Sequence, residues 1–245
     1  MNPLRVVEIV RRMEQGRTGP LLVRAEDDAL YVAKGRATTQ AGLAAEWVCA
    51  HLGLAAGLPV PPFELLDVPG ELVEAFGPEA AALGAGIAFG SLHQERVQEL
   101  LVGRVARIDV ELRRRLLAFD WWVENADRTL TGHGGNPNLL WAEAGGGLWV
   151  IDHNLAFDAQ FDERPFFATH VFRAEADALA SDWVEWQNIT GLLRAALPAF
   201  DEALASLPDQ WNWIDSEATL PVGIDWPTRR ARLLARLDAG WGRPS

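Results

Sequence analysis

Two short apolar runs predict a β-hairpin whose open end carries residues able to bind a metal ion. The runs are 139–142 and 148–151, and a glycine-rich turn separates them. With the turn centred on Gly145, Trp141 faces Trp149 and, at the open end, Asn138 faces Asp152. Adjacent strands lie about 4.8 Å apart, so the amide oxygen and the carboxylate are placed to hold one Mg²⁺ between them.

A carboxylate at the end of a helix lies upstream of this hairpin. Asp127 stands in the loop 124–129, directly after a predicted helix at 109–123. Phosphoryl transfer needs positioning, a divalent metal and a carboxylate that accepts the hydroxyl proton, and Asp127 fits the last role. Taken singly, Asp127, Asn138 and Asp152 are ordinary cap or turn residues. Their combination predicts a site for phosphate chemistry.

Lys34 is the only lysine in the chain, since the other 21 basic residues are arginine. It ends the predicted strand 29–34, and its compact ammonium suits a phosphate as a point charge. Glu46 is the only acid in a predicted, largely apolar helix at 38–52. We predict that Glu46 pairs with Lys34, the alternative being a Glu46 that lies at an exposed edge.

A glycine-containing turn precedes the predicted hairpin formed by strands 21–25 and 29–34. If that hairpin is centred on Asp27, Lys34 lies opposite Pro20. The turn from Gly16 to Gly19 then lies beside Lys34, and its backbone N–H groups form a candidate phosphate cradle. A simple tight turn is the alternative.

The remaining pattern predicts an α+β protein. A helix is expected at 4–14, and the helix at 38–52 is expected to begin at Thr38 or Thr39 and to end at Gly53. Further helices are expected at 91–102, 109–123, 174–206 with a break near Pro198, and 226–239. The Ala/Gly-rich stretch 79–89 is the candidate connection between a small strand-containing domain, 1–90, and a mainly helical domain, 91–245.

The composition limits the class of partner. The formal net charge of −12 argues against nucleic acid and against an anionic membrane surface as the main partner. The single cysteine, Cys49, excludes a disulfide framework and a cysteine-based metal site. The first residues lack a signal-peptide core and no apolar run is long enough to span a bilayer, so a cytoplasmic location is expected.

The chemistry-bearing segments resemble the HipA-like kinase domain, a branch of the protein-kinase-like fold. The same segments are also similar to type II phosphoinositide 4-kinases. The resemblance covers residues 5 to about 180 and rests on three segments: Asn125-Ala126-Asp127-Arg128, Asn136-Pro137-Asn138-Leu139-Leu140-Trp141 and Trp149-Val150-Ile151-Asp152-His153.

The resemblance implies a two-lobed fold that binds ATP and Mg²⁺ in its cleft, with a catalytic β-hairpin in the helical lobe. Lys34 would contact the ATP phosphates and Glu46 would orient Lys34. Asp127 would be the catalytic aspartate, with Arg128 beside it in the catalytic set. Asn138 and Asp152 would be the metal ligands, with Asn136 as the alternative to Asn138.

Three features of the sequence depart from the usual kinase pattern. The metal-binding Asn usually follows the catalytic Asp by five residues, whereas here Asn136 and Asn138 follow Asp127 by nine and eleven. Asn154 stands where a glycine is usual, and no Ala-Pro-Glu segment follows. A pseudokinase that binds a nucleotide or a partner without catalysis is therefore a second hypothesis, and a phosphoinositide kinase is a third. The phosphate acceptor, a protein or a small molecule, is not defined by the sequence.

Overall fold

The computed structural model describes residues 2–13, 19–143, 147–215 and 217–240. The chain forms two compact units, and each is built from separate stretches of sequence. The first unit consists of Met1–Trp47, Pro61–Glu95 and Ala205–Ile224. The second unit consists of Val48–Val60, Arg96–Leu204 and Asp225–Ser245. Sequence reasoning placed a single boundary near residue 90, which lies inside a strand of the first unit.

The first unit is built on a closed five-stranded barrel. Its strands are β1 (Leu4–Arg12), β2 (Leu21–Ala25), β3 (Leu30–Lys34), β4 (Phe63–Val68) and β5 (Gly86–Leu92). The order around the barrel is β1-β2-β3-β5-β4, and only the β1–β4 pairing is parallel. Alternate side chains such as Leu21, Val23, Tyr31 and Ala33 point into a buried apolar core.

The predicted helix at 4–14 is wrong, because this segment is the strand β1. Its pairing with β2 shifts register between Val6 and Glu8 and again between Ile9 and Arg11. Each irregularity adds a residue, so the buried positions Val6 and Ile9 are three apart rather than two. Two bulges therefore imitate the spacing of a helix, while the β-branched residues of this segment favour the strand.

The β2–β3 hairpin has the predicted register. Leu21 pairs with Ala33 and Arg24 with Leu30, which centres the hairpin on Asp27 and continues to Pro20 opposite Lys34. The N–H of Ala29 donates to the Asp27 carboxylate at 3.0 Å, so the turn is fixed by its own side chain.

Helix α1 (Gln40–Ala55) follows a 3₁₀ turn at Arg36–Thr38. Thr39 is confirmed as its cap, since Thr39 Oγ1 accepts from the Gly42 N–H at 3.2 Å. The predicted end at Gly53 is wrong, and the helix continues for two residues. A Cβ at position 53 would lie 3.0 Å from Val60, so this glycine permits close packing rather than ending the helix.

Three further short elements complete the first unit. They are α2 (Gly70–Phe76) and the 3₁₀ turns Pro78–Ala82 and Asp209–Asn212. The predicted connection at 79–89 is wrong, since residues from Gly86 onward belong to β5. The segment 205–224 joins this unit through Trp211, whose indole N–H donates to the Ile87 carbonyl at 3.1 Å.

The second unit combines two small sheets with five helices among the described residues. The strands are β6 (Val97–Glu99), β7 (Thr129–Thr131), β8 (Gly134–Asn136), β9 (Leu139–Ala142) and β10 (Leu148–Val150). The helices are α3 (Val110–Trp122), α4 (Glu163–Thr169), α5 (Ala176–Ser181), α6 (Trp183–Ala205) and α7 (Trp226–Ala239). The sheets have the orders β10-β9-β6 and β7-β8. The unit also contains two 3₁₀ turns: Val102–Arg107 lies between β6 and α3, and Arg173–Glu175 lies between α4 and α5.

The predicted helices at 109–123 and 226–239 are confirmed as α3 and α7. The helix predicted at 91–102 is wrong, because this segment contains the end of β5 and the strand β6. The long C-terminal helical segment breaks at Asp182 and not at Pro198, which lies inside α6. Asp182 accepts from the Glu185 N–H at 3.0 Å and therefore caps α6.

The β9–β10 strands pair as expected, but their register differs from the prediction by one residue. Leu148 pairs with Trp141 and Val150 with Leu139. The next contact joins the Ile151 N–H to the Asn138 carbonyl at 3.1 Å. Asn138 therefore lies opposite Ile151 and not Asp152, which is a shift of one residue along β10.

Within the part of the chain that the structure describes, no helix is both long and apolar enough to cross a membrane.

Candidate active site

The carboxylate of Asp127 is held by two amide side chains from the strands that follow it. Asn136, the last residue of β8, donates from Nδ2 to Asp127 Oδ2 at 2.7 Å. Asn138, directly before β9, donates to the same oxygen at 2.9 Å. The β7–β8 hairpin occupies the extra residues of the enlarged loop and brings Asn136 back to Asp127. One carboxylate and both candidate asparagines thus meet in the second unit.

Asp152 lies close enough to Asp127 to affect its ionisation. Burial raises the pKa of Asp127, the Asn138 hydrogen bond opposes this, and the negative charge of Asp152 raises the pKa further. The structure therefore brings Asp127, Asn136, Asn138 and Asp152 into one neighbourhood, although the strand register behind the prediction is shifted.

Both Asn138 and Asp152 have left-handed backbone conformations. Their φ angles are 49° and 61°. Asn138 directly precedes β9, and Asp152 lies two residues after the end of β10. Asn and Asp adopt this region more readily than other non-glycine residues. Each such conformation costs about 1–3 kcal/mol and is found mainly where the surrounding structure fixes a functional group.

Arg128 fixes the two strand ends to each other. Its guanidinium is fully buried and donates to the carbonyls of Pro137, Asn138 and Ile151 at 3.3, 2.5 and 3.2 Å. These contacts hold the backbone next to Asn138 and Asp152. Arg128 was predicted as part of the catalytic set, but a side chain enclosed in this way supports the site rather than reaching a substrate.

Asp120 is the partner of Arg128 and was missed by sequence reasoning. Asp120 Oδ2 accepts from Arg128 Nε at 2.7 Å, and Asp120 Oδ1 accepts from Asn125 Nδ2 at 2.9 Å. Both members of the ion pair are fully buried. Burial opposes ionisation, but Arg128 and His170 outweigh it and lower the pKa of Asp120 to about 2. The available signal was an acid within the apolar end of α3, which requires a cationic partner.

His170 completes this buried network in its neutral form. Its Nε2 lies 3.0 Å from Asp120 Oδ2, and its Nδ1 accepts from the Phe172 N–H at 3.0 Å. A backbone N–H can only donate, so Nδ1 carries no proton and Nε2 donates to Asp120. Burial lowers the pKa of His170, which agrees with a neutral ring.

The two histidines beside the sequence motifs have different surroundings. His153 is buried, and its Nε2 lies 3.1 Å from Arg128 Nη2. Because a guanidinium only donates, His153 accepts through Nε2 and belongs to the same supporting network. His133 is exposed in the β7–β8 turn.

In the first unit, Lys34 and Glu46 form the predicted ion pair. Lys34 Nζ lies 2.9 Å from Glu46 Oε2, and the two side chains are only 11% and 4% exposed. In β3, Ala33 points into the barrel, so Lys34 points to the opposite face. The alternative of a Glu46 at an exposed edge is wrong.

The candidate phosphate cradle is described only in part. Gly19 has a φ of 61°, and a Cβ there would lie 2.9 Å from Arg12 Nη2. Gly16 lies outside the described residues. A role of Gly16 and Gly19 in nucleotide binding stays a prediction.

The donor set around Asp127 fits Mg²⁺. The described residues contain no group of three or more His, Cys, Asp or Glu side chains suited to a metal ion. Magnesium needs no such group, since it is bound by one or two carboxylates together with water and substrate phosphates. Asn136 and Asn138 give their amide nitrogens to Asp127, so the amide oxygens are the atoms that remain for a hard cation.

Comparison with known families places the chain in one of them. The HipA-like kinase family matches residues 6–241, so the chain belongs to that family. A comparison with curated proteins found no match.

Solved kinase structures share the fold. The Helicobacter pylori proinflammatory kinase CtkA aligns with a TM-score of 0.53 at 10% identity, over 96% of this chain and 93% of that one. The Golgi casein kinase aligns with a TM-score of 0.50 at 13% identity, over 97% of this chain and 71% of that one. The same kinase with Mn/ADP bound aligns with a TM-score of 0.51 at 14% identity, over 97% and 73%. The chain therefore has a protein-kinase-like fold with mixed helices and strands.

Proposed function

We propose that this HipA-like kinase is an ATP- and Mg²⁺-dependent phosphotransferase that phosphorylates a hydroxyl group of a protein or a small molecule. The observation that carries the proposal is the meeting of Asp127, Asn138 and Asp152 in the second unit. These residues supply a carboxylate able to accept a proton and hard oxygen donors for a metal ion. The Mn/ADP complex of the Golgi casein kinase supports the use of nucleotide and divalent metal.

In this proposal the first unit binds the nucleotide and the second unit carries the catalytic residues. Lys34 binds ATP phosphates, and Glu46 holds the Lys34 ammonium in place through their 2.9 Å contact. The backbone at Gly16 and Gly19 contributes N–H donors to the phosphates.

Asp127 acts as the base that accepts the hydroxyl proton. Both amide hydrogen bonds reach Oδ2 of Asp127, so Oδ1 is the oxygen assigned to the acceptor hydroxyl. Asn138 and Asp152 hold Mg²⁺, with Asn136 as the alternative ligand. When bound, Mg²⁺ neutralises charge on the phosphates.

The test compares Asp127→Ala with Asp158→Asn. Asp158 is an exposed aspartate of the same unit whose Oδ1 caps the Gln160 N–H, so it controls for loss of a surface acid. Turnover of labelled ATP with Mg²⁺ should be abolished in Asp127→Ala and retained in Asp158→Asn. Binding of a fluorescent ATP analogue should change by no more than about twofold in either variant, because positioning of the base contributes to catalysis more than to ground-state binding.

The enlarged loop between Asp127 and Asn138 favours one alternative, a pseudokinase that binds nucleotide without catalysis. Wild-type protein that binds the analogue in the presence of Mg²⁺ but shows neither autophosphorylation nor ATP hydrolysis would support this alternative. Turnover that is unchanged in Asp127→Ala would contradict the assignment of the base.

A further inference from the structure

Glu124 is an unusual residue for its position. It lies three residues before Asp127, its side chain is only 3% exposed, and its φ is 56°. A glutamate gains nothing locally from the left-handed conformation, and a buried carboxylate must be paired. Something outside the loop must therefore hold Glu124.

Two arginines of α7 form ion pairs with Glu124. Arg232 Nε lies 2.6 Å from Glu124 Oε1, and Arg236 Nη1 lies 3.3 Å from the same oxygen. Burial raises the pKa of Glu124, and the two arginines oppose this shift. Two side chains of the arginine-rich α7 are therefore ion-paired with Glu124.

Arg236 is itself fixed on several sides. Its guanidinium carbon lies 4.2 Å from the ring centre of Trp121 and 5.1 Å from that of Phe161. Its Nη2 lies 3.1 Å from Glu163 Oε1, which also accepts from the Trp121 indole N–H at 2.8 Å. Because these contacts fix the Arg236 guanidinium, the guanidinium can in turn fix the position of the Glu124 carboxylate.

The segment that follows Asp152 also contacts this region. The Phe157 N–H donates to the Val123 carbonyl at 2.8 Å, next to Glu124. The Phe157 ring lies edge-on to Trp226, the first residue of α7, with centroids 5.9 Å apart. Both ends of α7 therefore contact the segments that carry Asp127 and Asp152.

We propose that α7 is a positioning element of the catalytic loop, in which Arg232 and Arg236 fix Glu124 and thereby the backbone that presents Asp127. This inference rests on the proposed function for its kinetic consequence but not for its structural one. Arg232, Arg236 and Glu124 are positioning residues, since none of them is assigned to ATP, metal or acceptor.

The test uses Arg236→Gln and Arg232→Gln, with Arg230→Gln as the matched control. Arg230 lies on the same helix and forms an exposed ion pair with Asp201 of α6, with Nε–Oδ1 at 2.9 Å. Arg232 is 41% exposed, so its replacement keeps the test informative if Arg236→Gln does not fold.

The first readout is hydrogen exchange of the backbone amides of residues 124–127. We expect exchange there to rise on the order of tenfold in Arg236→Gln and Arg232→Gln, with the rest of the second unit and Arg230→Gln close to wild type. An increase spread evenly over the unit, or no increase, would overturn the proposal by showing a general structural role or none.

The second readout is kinetic. With Mg²⁺-ATP we expect kcat to fall on the order of tenfold, while the KM for ATP stays within about twofold, because misplacement of a base affects the chemical step. An equal rise in KM at constant kcat would contradict a positioning role. If the wild type has no turnover, the proposed function fails, and the exchange experiment still decides whether α7 holds the loop.

Discussion

The buried pair of Asp120 and Arg128 makes a stability prediction that can be quantified. Replacing Asp120 by Asn keeps the shape and removes the charge, leaving the fully buried Arg128 guanidinium uncompensated. The pKa of Asp120 is lowered from 3.8 to about 2. That difference corresponds to about 2 kcal/mol of stability at neutral pH. Breaking a buried pair by removal of one partner typically costs about 3–5 kcal/mol, so we expect a loss of about 2–5 kcal/mol.

The pH dependence follows from the direction of the shift. The pKa of folded Asp120 is depressed, so its stabilising contribution is present above about pH 4 and is lost as the pH falls towards about 2. The difference in unfolding free energy between wild type and Asp120→Asn should therefore be constant from pH 7 to about 5 and should shrink at lower pH.

Guanidinium chloride unfolding at several pH values measures this difference. Asp201→Asn is the control, because Asp201 forms an exposed pair with Arg230 and its loss should cost less than about 1 kcal/mol. An Asp120→Asn variant within about 1 kcal/mol of wild type at pH 7, or a difference that does not decrease below pH 4, would refute the electrostatic account of this site.

Three further predictions concern buried groups in both units. Lys34→Met should destabilise the protein by about 3 kcal/mol because it leaves the buried Glu46 carboxylate without its ammonium partner. In a double-mutant cycle measured by denaturation, adding Glu46→Gln should recover part of this loss, and strict additivity of the two substitutions would argue against coupling between the two side chains. His170 has a lowered pKa and is neutral in the folded protein, so the stability should fall as the pH drops below about 6.5. His170→Gln should make the melting temperature depend less on pH in this range, and an unchanged pH dependence would exclude His170 as its source. Gly35→Ala should destabilise the protein by about 2 kcal/mol or more, since a Cβ there would lie 2.0 Å from the backbone oxygen of Leu83. In the control Gly103→Ala the new Cβ would meet nothing within 4 Å, so the melting temperature should not change, and equal effects of the two substitutions would contradict the steric explanation.

Local sequence signals predicted the elements whose pattern is undisturbed. The β2–β3 hairpin was predicted because Asp27 marks its turn and the apolar residues alternate on either side. Helices α3 and α7 were predicted because their apolar residues recur at helical spacing and an aspartate caps each one. The pairing of Lys34 with Glu46 followed from charge alone, since each is the only residue of its kind in its element.

Features that depend on distant partners were not predictable. Strand β1 has helix-like apolar spacing because two bulges interrupt its pairing with β2, and nothing in residues 4–14 reveals the bulges. Asp120 and His170 are fifty positions apart, so their contact depends on the completed fold. Arg236 appears on a basic helix in the sequence, yet its aromatic contacts come from α3 and from the chain before α4.

The hairpin of β9 and β10 shows why a site can be predicted through an incorrect register. A one-residue slip between strands normally moves every side chain to the other face. Asn138 and Asp152 lie outside the paired residues and have positive φ angles, so the alternation of the pleat does not set their directions. Their positions are set instead by Arg128, which holds the backbone beside both, and by Asp127, which accepts the Asn138 amide. The grouping of these residues therefore depends on a buried guanidinium, and replacement of Arg128 should disperse the site even where β9 and β10 remain paired.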